Sequence, residues 1–162
     1  GVFTIDRVRQ KITAGEWTQN GESIPNFGFT GSTYWFRLTL QSTSTDVLEQ
    51  LIQIEYPMLD HIELWAFPSE EHFVTGDAGV FDERPILHRS FLFPIEVRPE
   101  GTEVFIRVQT NGAAKIPIAL WDERGFFEAD EPVLVKFGLI SGAILFVALY
   151  NLLILRKSIC YI

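Results

Sequence analysis

The sequence predicts an all-β sandwich domain followed by a single C-terminal membrane-spanning helix. Two observations carry the β assignment. Apolar residues alternate with period two through several short segments, and turn-forming residues separate those segments at near-regular spacing, with no helical pattern between them. A third observation carries the helix: residues 133–155 read VLVKFGLISGAILFVALYNLLIL, 23 residues with one charge, Lys136.

Residues 1–33 give the weakest signal, a strand near residues 5–8 and then a loop rich in Gly, Asn and Pro. Residues 34–40 (YWFRLTL) put Phe36, Leu38 and Leu40 on one face and Trp35, Arg37 and Thr39 on the other, because successive strand side chains point to opposite sides. Residues 51–56 align Ile52, Ile54 and Tyr56. Residues 61–67 (HIELWAF) bury Ile62, Leu64 and Ala66 and turn His61, Glu63, Trp65 and Phe67 outward. The same alternation recurs in Phe91, Phe93, Ile95 and Val97, in Val104, Ile106 and Val108, and in Ile116, Ile118 and Leu120. Turns separate the runs at residues 42–46, Pro57, Pro68-Ser69, Gly76-Asp77, residues 99–101 and Asn111-Gly112. The expected core, between two sheets, contains Phe36, Leu38, Ile54, Leu64, Phe93, Ile106 and Ile118.

As a helix, residues 133–155 would be about 35 Å long, enough to cross a hydrocarbon core about 30 Å thick. Arg156 and Lys157 follow it and the acidic stretch 122–131 precedes it as a connector. Basic residues mark the cytoplasmic end of a span. Residues 1–130 are therefore expected outside as one domain, with 131–162 as the span and the start of the cytoplasmic side. The run lacks the polar stripe of a soluble amphipathic helix, and its C-terminal position rules out a signal peptide. An outward domain needs an export signal, so the chain is expected to be part of a longer protein. Within the span, Lys136 is expected to snorkel to the outer headgroups. Gly138 and Gly142 allow close helix contact, and Asn151 is expected to bond to a neighbouring helix.

Residues 1–132 hold all 21 acidic residues and 10 of the 13 basic ones, a net charge of −11. Such a surface speaks against nucleic acid and anionic lipid as partners, and suits a cationic or neutral ligand or metal ions. The only cysteine is Cys160, beyond the span. The outer domain therefore has no disulfide and depends on its core alone.

In order along the chain, YWFRLTL, YPMLDHIELW, TGDAGVFDERPILHRSFLFPIEV, VFIRVQTNGAAKIPIALW and an apolar helix containing ALYNLLIL resemble the type 2 extracellular domain of the seven-transmembrane receptors with diverse intracellular signalling modules. The most specific pieces are Gly76-Asp77, Glu83-Arg84-Pro85, His88-Arg89, Phe93-Pro94 and Leu149-Tyr150-Asn151-Leu152. The resemblance implies a bacterial inner-membrane sensor. Its periplasmic domain would be a jelly roll similar to carbohydrate-binding modules. Seven helices would follow, of which this chain holds the first, and then an intracellular output module.

No catalytic constellation stands out, and the expected role is not enzymatic. His61, His72 and His88 lack metal-ligand spacing. Three candidate sites remain. On the outward strand faces, Trp35, Arg37, Glu63, Trp65 and Arg107 combine aromatic rings with hydrogen-bonding groups, the chemistry that binds a sugar. The competing reading covers this face with residues 1–33 and treats both tryptophans as packing. In the segment 83–89, Arg84, His88 and Arg89 suit an anionic ligand, or else pair with Asp77, Asp82 or Glu83 to pin a loop. Asp77, Asp82 and Glu83 are also candidate calcium ligands. The expected function is ligand sensing, with a carbohydrate-like small molecule as partner. The alternatives are a protein-interaction or homodimerisation module without a small ligand, or a calcium-responsive sensor.

Overall fold

The computed structural model describes residues 4–13 and 17–159; Cys160 lies outside them. The chain divides into two units, Gly1–Asp122 and Glu123–Ile162.

In the first unit a helix α1 (Ile5–Thr13) precedes nine strands: β1 (Asn26–Phe29), β2 (Thr33–Leu40), β3 (Leu48–Ile54), β4 (His61–Phe67), β5 (Glu71–Thr75), β6 (Phe91–Val97), β7 (Thr102–Gln109), β8 (Ala113–Lys115) and β9 (Ile118–Trp121). They form a four-stranded sheet in the order β2-β7-β4-β5, a three-stranded sheet β6-β3-β9 and a two-stranded pair β1-β8. Every pairing is antiparallel. One core draws on both larger sheets: Ile62, Leu64, Ala66, Val104, Ile106 and Val108 from one, and Ile52, Ile54, Phe91, Phe93, Ile95 and Val97 from the other. The period-two pattern is thus the burial pattern. β4 alternates between half-buried and buried residues along its whole length. Of the expected core, Ile54, Leu64, Phe93 and Ile106 are fully enclosed, while Phe36, Leu38 and Ile118 pack against it partly buried. Pro94 sits in β6, an edge strand, where a missing backbone N–H breaks no ladder.

The strand expected near residues 5–8 is instead the first turns of α1. Ile5 and Val8 are three apart, a spacing that shares one face of a helix but opposite faces of a strand. Val8 is buried accordingly. β1, β5 and β8 were not foreseen; each is short, and none offers a run of alternating apolar residues.

The second unit is one helix, α2 (Glu123–Ile159), with Pro132 inside it. The acidic stretch expected as a connector is therefore largely helical. Among the described residues α2 is the one helix long and apolar enough to cross a membrane. Asn151 donates to the Val147 carbonyl at 2.8 Å, so its amide is satisfied one turn back on its own helix. A Cβ added at Gly138 or Gly142 would meet nothing within 4 Å, which leaves that face open.

Candidate functional site on the outer sheet face

The face of the four-stranded sheet turned away from the core gathers Trp35, Arg37, Glu63, Trp65 and Arg107. Register places them in two adjacent rows. Trp35, Arg107, Glu63 and Val74 are paired across β2, β7, β4 and β5, and Arg37, Phe105, Trp65 and His72 form the next row. Because the strands are in register, residues of one parity project together.

The rings form a ladder. Trp35 stacks on Trp65 with centroids 5.3 Å apart and planes 17° apart. Trp65 stacks in turn on His72 at 4.8 Å and 6°. Trp35 and His72 lie on opposite sides of β4, so both faces of the Trp65 indole are occupied. Among the described residues Trp35, on the edge strand β2, has a stacked ring on one side only. Trp35 and Arg37 line a groove of about 750 Å³ whose lining also includes Trp17, Gln19, Asn20 and Glu22 and, from the opposite parity of β2, Phe36 and Leu38.

Charged groups flank the ladder. Arg107 forms an ion pair with Glu63 and donates to Gln109 Oε1 at 2.9 Å. His61 Nε2 lies 2.9 Å from the same Glu63 carboxylate and His72 Nε2 lies 3.7 Å from it. The Glu63 side chain is 19% exposed and that of Arg107 16%. Burial works to raise the Glu63 pKa, but hydrogen bonds from His61 and Arg107 and the positive charge of both outweigh it, and the pKa lies below the ordinary value. Arg37 is held by Glu103 on the neighbouring strand.

One end of the face is roofed. The Arg9 guanidinium sits 4.0 Å above the Phe67 ring, and Trp17 packs at 6.3 Å against Phe105. Phe105 is on the outward parity of β7 yet fully buried. The N-terminal segment thus covers the Phe67–Phe105 end, while Trp35 and Trp65 remain half-buried and His72 exposed.

The other candidates are arranged differently. Arg84 is turned into its own loop. It donates to the His88 carbonyl at 2.8 Å and lies over the rings of Phe81 and Phe91. It pins the loop as the competing reading held, but through a carbonyl and two rings rather than through acids. His88 Nδ1 accepts the Ser90 N–H at 3.1 Å, and Arg89 is exposed. Asp77, Asp82 and Glu83 are all exposed. Among the described residues no group of three or more His, Cys, Asp or Glu side chains is arranged to hold a metal ion.

A β-sandwich with an aromatic and polar outer face, ahead of a helix fit to cross a membrane, fits a receptor's extracellular domain. The family model 7TMR-DISM extracellular 2 matches residues 1–122, and the chain belongs to that family. No curated protein matches the chain. An extracellular domain of this family followed by a membrane-span candidate makes the chain a sensor-domain segment of a membrane receptor.

Proposed function

We propose that residues 1–122 bind a carbohydrate-like ligand on the periplasmic side of a bacterial inner membrane, and that α2 passes the bound state to an output module beyond the cytoplasmic end of the chain. The observation that carries this reading is the Trp35 indole, which has one face on Trp65 and borders the groove with Arg37. A pyranose offers an apolar face to such a ring and hydroxyls to a guanidinium, amides and carboxylates at its rim. The groove is within the usual range for small-molecule sites, about 300–1,000 Å³. Arg156 and Lys157 after the span support a cytoplasmic C-terminus. The ion pairs of Arg37 with Glu103 and of Arg107 with Glu63 hold the flanking groups in place without a ligand, which limits the ordering cost of binding.

The test is a melting-temperature screen of the full chain against neutral and acidic oligosaccharides, because a ligand that binds only the folded state raises the melting point. A concentration-dependent rise with one class of glycan is expected. If no glycan produces one, and the protein dimerises through the same face, the interaction-module reading replaces this one.

A further inference from the structure

A second cavity, of about 330 Å³, lies where the outer face meets the loop after β5. It shares no lining residue with the Trp35 groove. Asp60, His61, Glu83, Gln109 and Asn111 give it polar walls, and Val80 contributes an apolar one. Its frame is fixed by the backbone. Asp77 N–H donates to the Leu59 carbonyl at 2.8 Å, Ala78 N–H to the Asp60 carbonyl at 3.3 Å and Glu83 N–H to the Val80 carbonyl at 3.1 Å. A Cβ at Gly76 would lie 2.0 Å from the Asp60 carbonyl oxygen, so the loop is pressed against the strand entrance as only glycine permits. Asp60 Oδ2 accepts the Asn111 backbone N–H at 2.8 Å and its side-chain amide at 3.3 Å, which ties the opposite rim.

The ionisable lining is two carboxylates, Asp60 and Glu83, and the His61 imidazole. No lysine or arginine lines the cavity. Among the described residues neither the Asp60 nor the Glu83 carboxylate is paired with a cationic side chain. His61 Nε2 is engaged with Glu63, and Gln109 Oε1 with Arg107. Three or more ligating groups suited to a metal are not assembled here. Two carboxylates in the lining of a small cavity, beside the apolar Val74 and Val80, complement a compact cation with N–H donors and a carbon chain. We propose that this cavity binds a small aliphatic diamine. Two of its lining residues, His61 and Gln109, contact Glu63 and Arg107, which links the cavity to the charged row beside the tryptophan ladder.

The experiment is calorimetric titration of the full chain in neutral phosphatidylcholine nanodiscs with putrescine. 1,4-Butanediol serves as the uncharged counterpart. Saturable binding of putrescine at least tenfold tighter than of the diol is expected. Glu83→Gln and Asp60→Asn should each weaken it at least tenfold, and Trp35→Ala should leave it unchanged. Glu83 is exposed, so its variant should keep the wild-type melting temperature. Absence of saturable putrescine binding, equal binding of the diol, or isotherms that neither carboxylate substitution moves would overturn the proposal. A loss on Trp35→Ala would place the amine in the other groove and overturn it equally.

Discussion

Trp35 on β2 and Trp65 on β4 stack at 5.3 Å across the intervening strand β7. The diagonal brings together rings from two different register rows, between Arg107 and Phe105. Trp65 is thereby the support and Trp35 the presented ring. Each stack of this kind is worth about 0.5–1.5 kcal/mol beyond area burial. Trp65→Ala removes two, with Trp35 and with His72, and should lower the unfolding free energy by about 1–3 kcal/mol in urea titrations. A neutral effect would mean the ladder contributes nothing to the fold.

Leu64 is fully buried between the sheets. Truncation leaves a cavity in a close-packed core, so Leu64→Ala should cost about 2–5 kcal/mol. A loss below about 0.5 kcal/mol would contradict the facing of β4.

Glu63 gives a pH dependence whose sign can be worked out. Its pKa in the fold lies below the ordinary value of 4.5. A carboxylate with a depressed folded pKa stabilises the fold fully above its unfolded pKa, and the contribution fades as pH falls through the folded value. Glu63→Gln should therefore differ most from the parent at neutral pH. The gap in unfolding free energy should narrow as pH drops below about 4.5. A gap that stays constant down to acid pH would show that the ion pair with Arg107 adds no net stability.

Gly76 is a steric prediction. A methyl group there collides with the Asp60 carbonyl at 2.0 Å, a backbone atom that cannot swing aside. Gly76→Ala should cost about 1–3 kcal/mol or more through forced backbone displacement, read as a drop in melting temperature. An unchanged melting temperature would mean the loop is not pressed against β4.

The long strands were legible because their side chains alternate strictly. In the 61–67 segment the residues Ile62, Leu64 and Ala66 give the core, and His61, Glu63, Trp65 and Phe67 the outer face. The shared parity that joins Trp35, Arg37, Glu63, Trp65 and Arg107 on one face could be read from sequence alone. Their proximity could not, since it depends on β7 lying between β2 and β4. The sandwiching of Trp65 was hidden for a different reason. Its second partner, His72, lies on β5, where Glu71, Phe73 and Thr75 alternate with His72 and Val74, and neither set is consistently apolar. The half-open roof over Phe105 was equally hidden, because α1 carries only a short apolar stripe. Arg84 illustrates the limit for charged residues. Nothing in ERPILHR distinguishes a guanidinium aimed at a ligand from one folded onto Phe81, Phe91 and the His88 carbonyl.

The central claim is that the ligand sits against Trp35 and not against Trp65. Binding isotherms of one glycan from the melting screen, taken on the parent, Trp35→Ala and Trp65→Ala proteins, test it directly. Trp35→Ala should abolish binding while the urea midpoint falls only slightly, because the lost ring borders the groove. Trp65→Ala should leave measurable binding, weakened by about 0.5–1.5 kcal/mol as the presented ring loses its support. Parent-like affinity in Trp35→Ala, or complete loss confined to Trp65→Ala, would contradict the account.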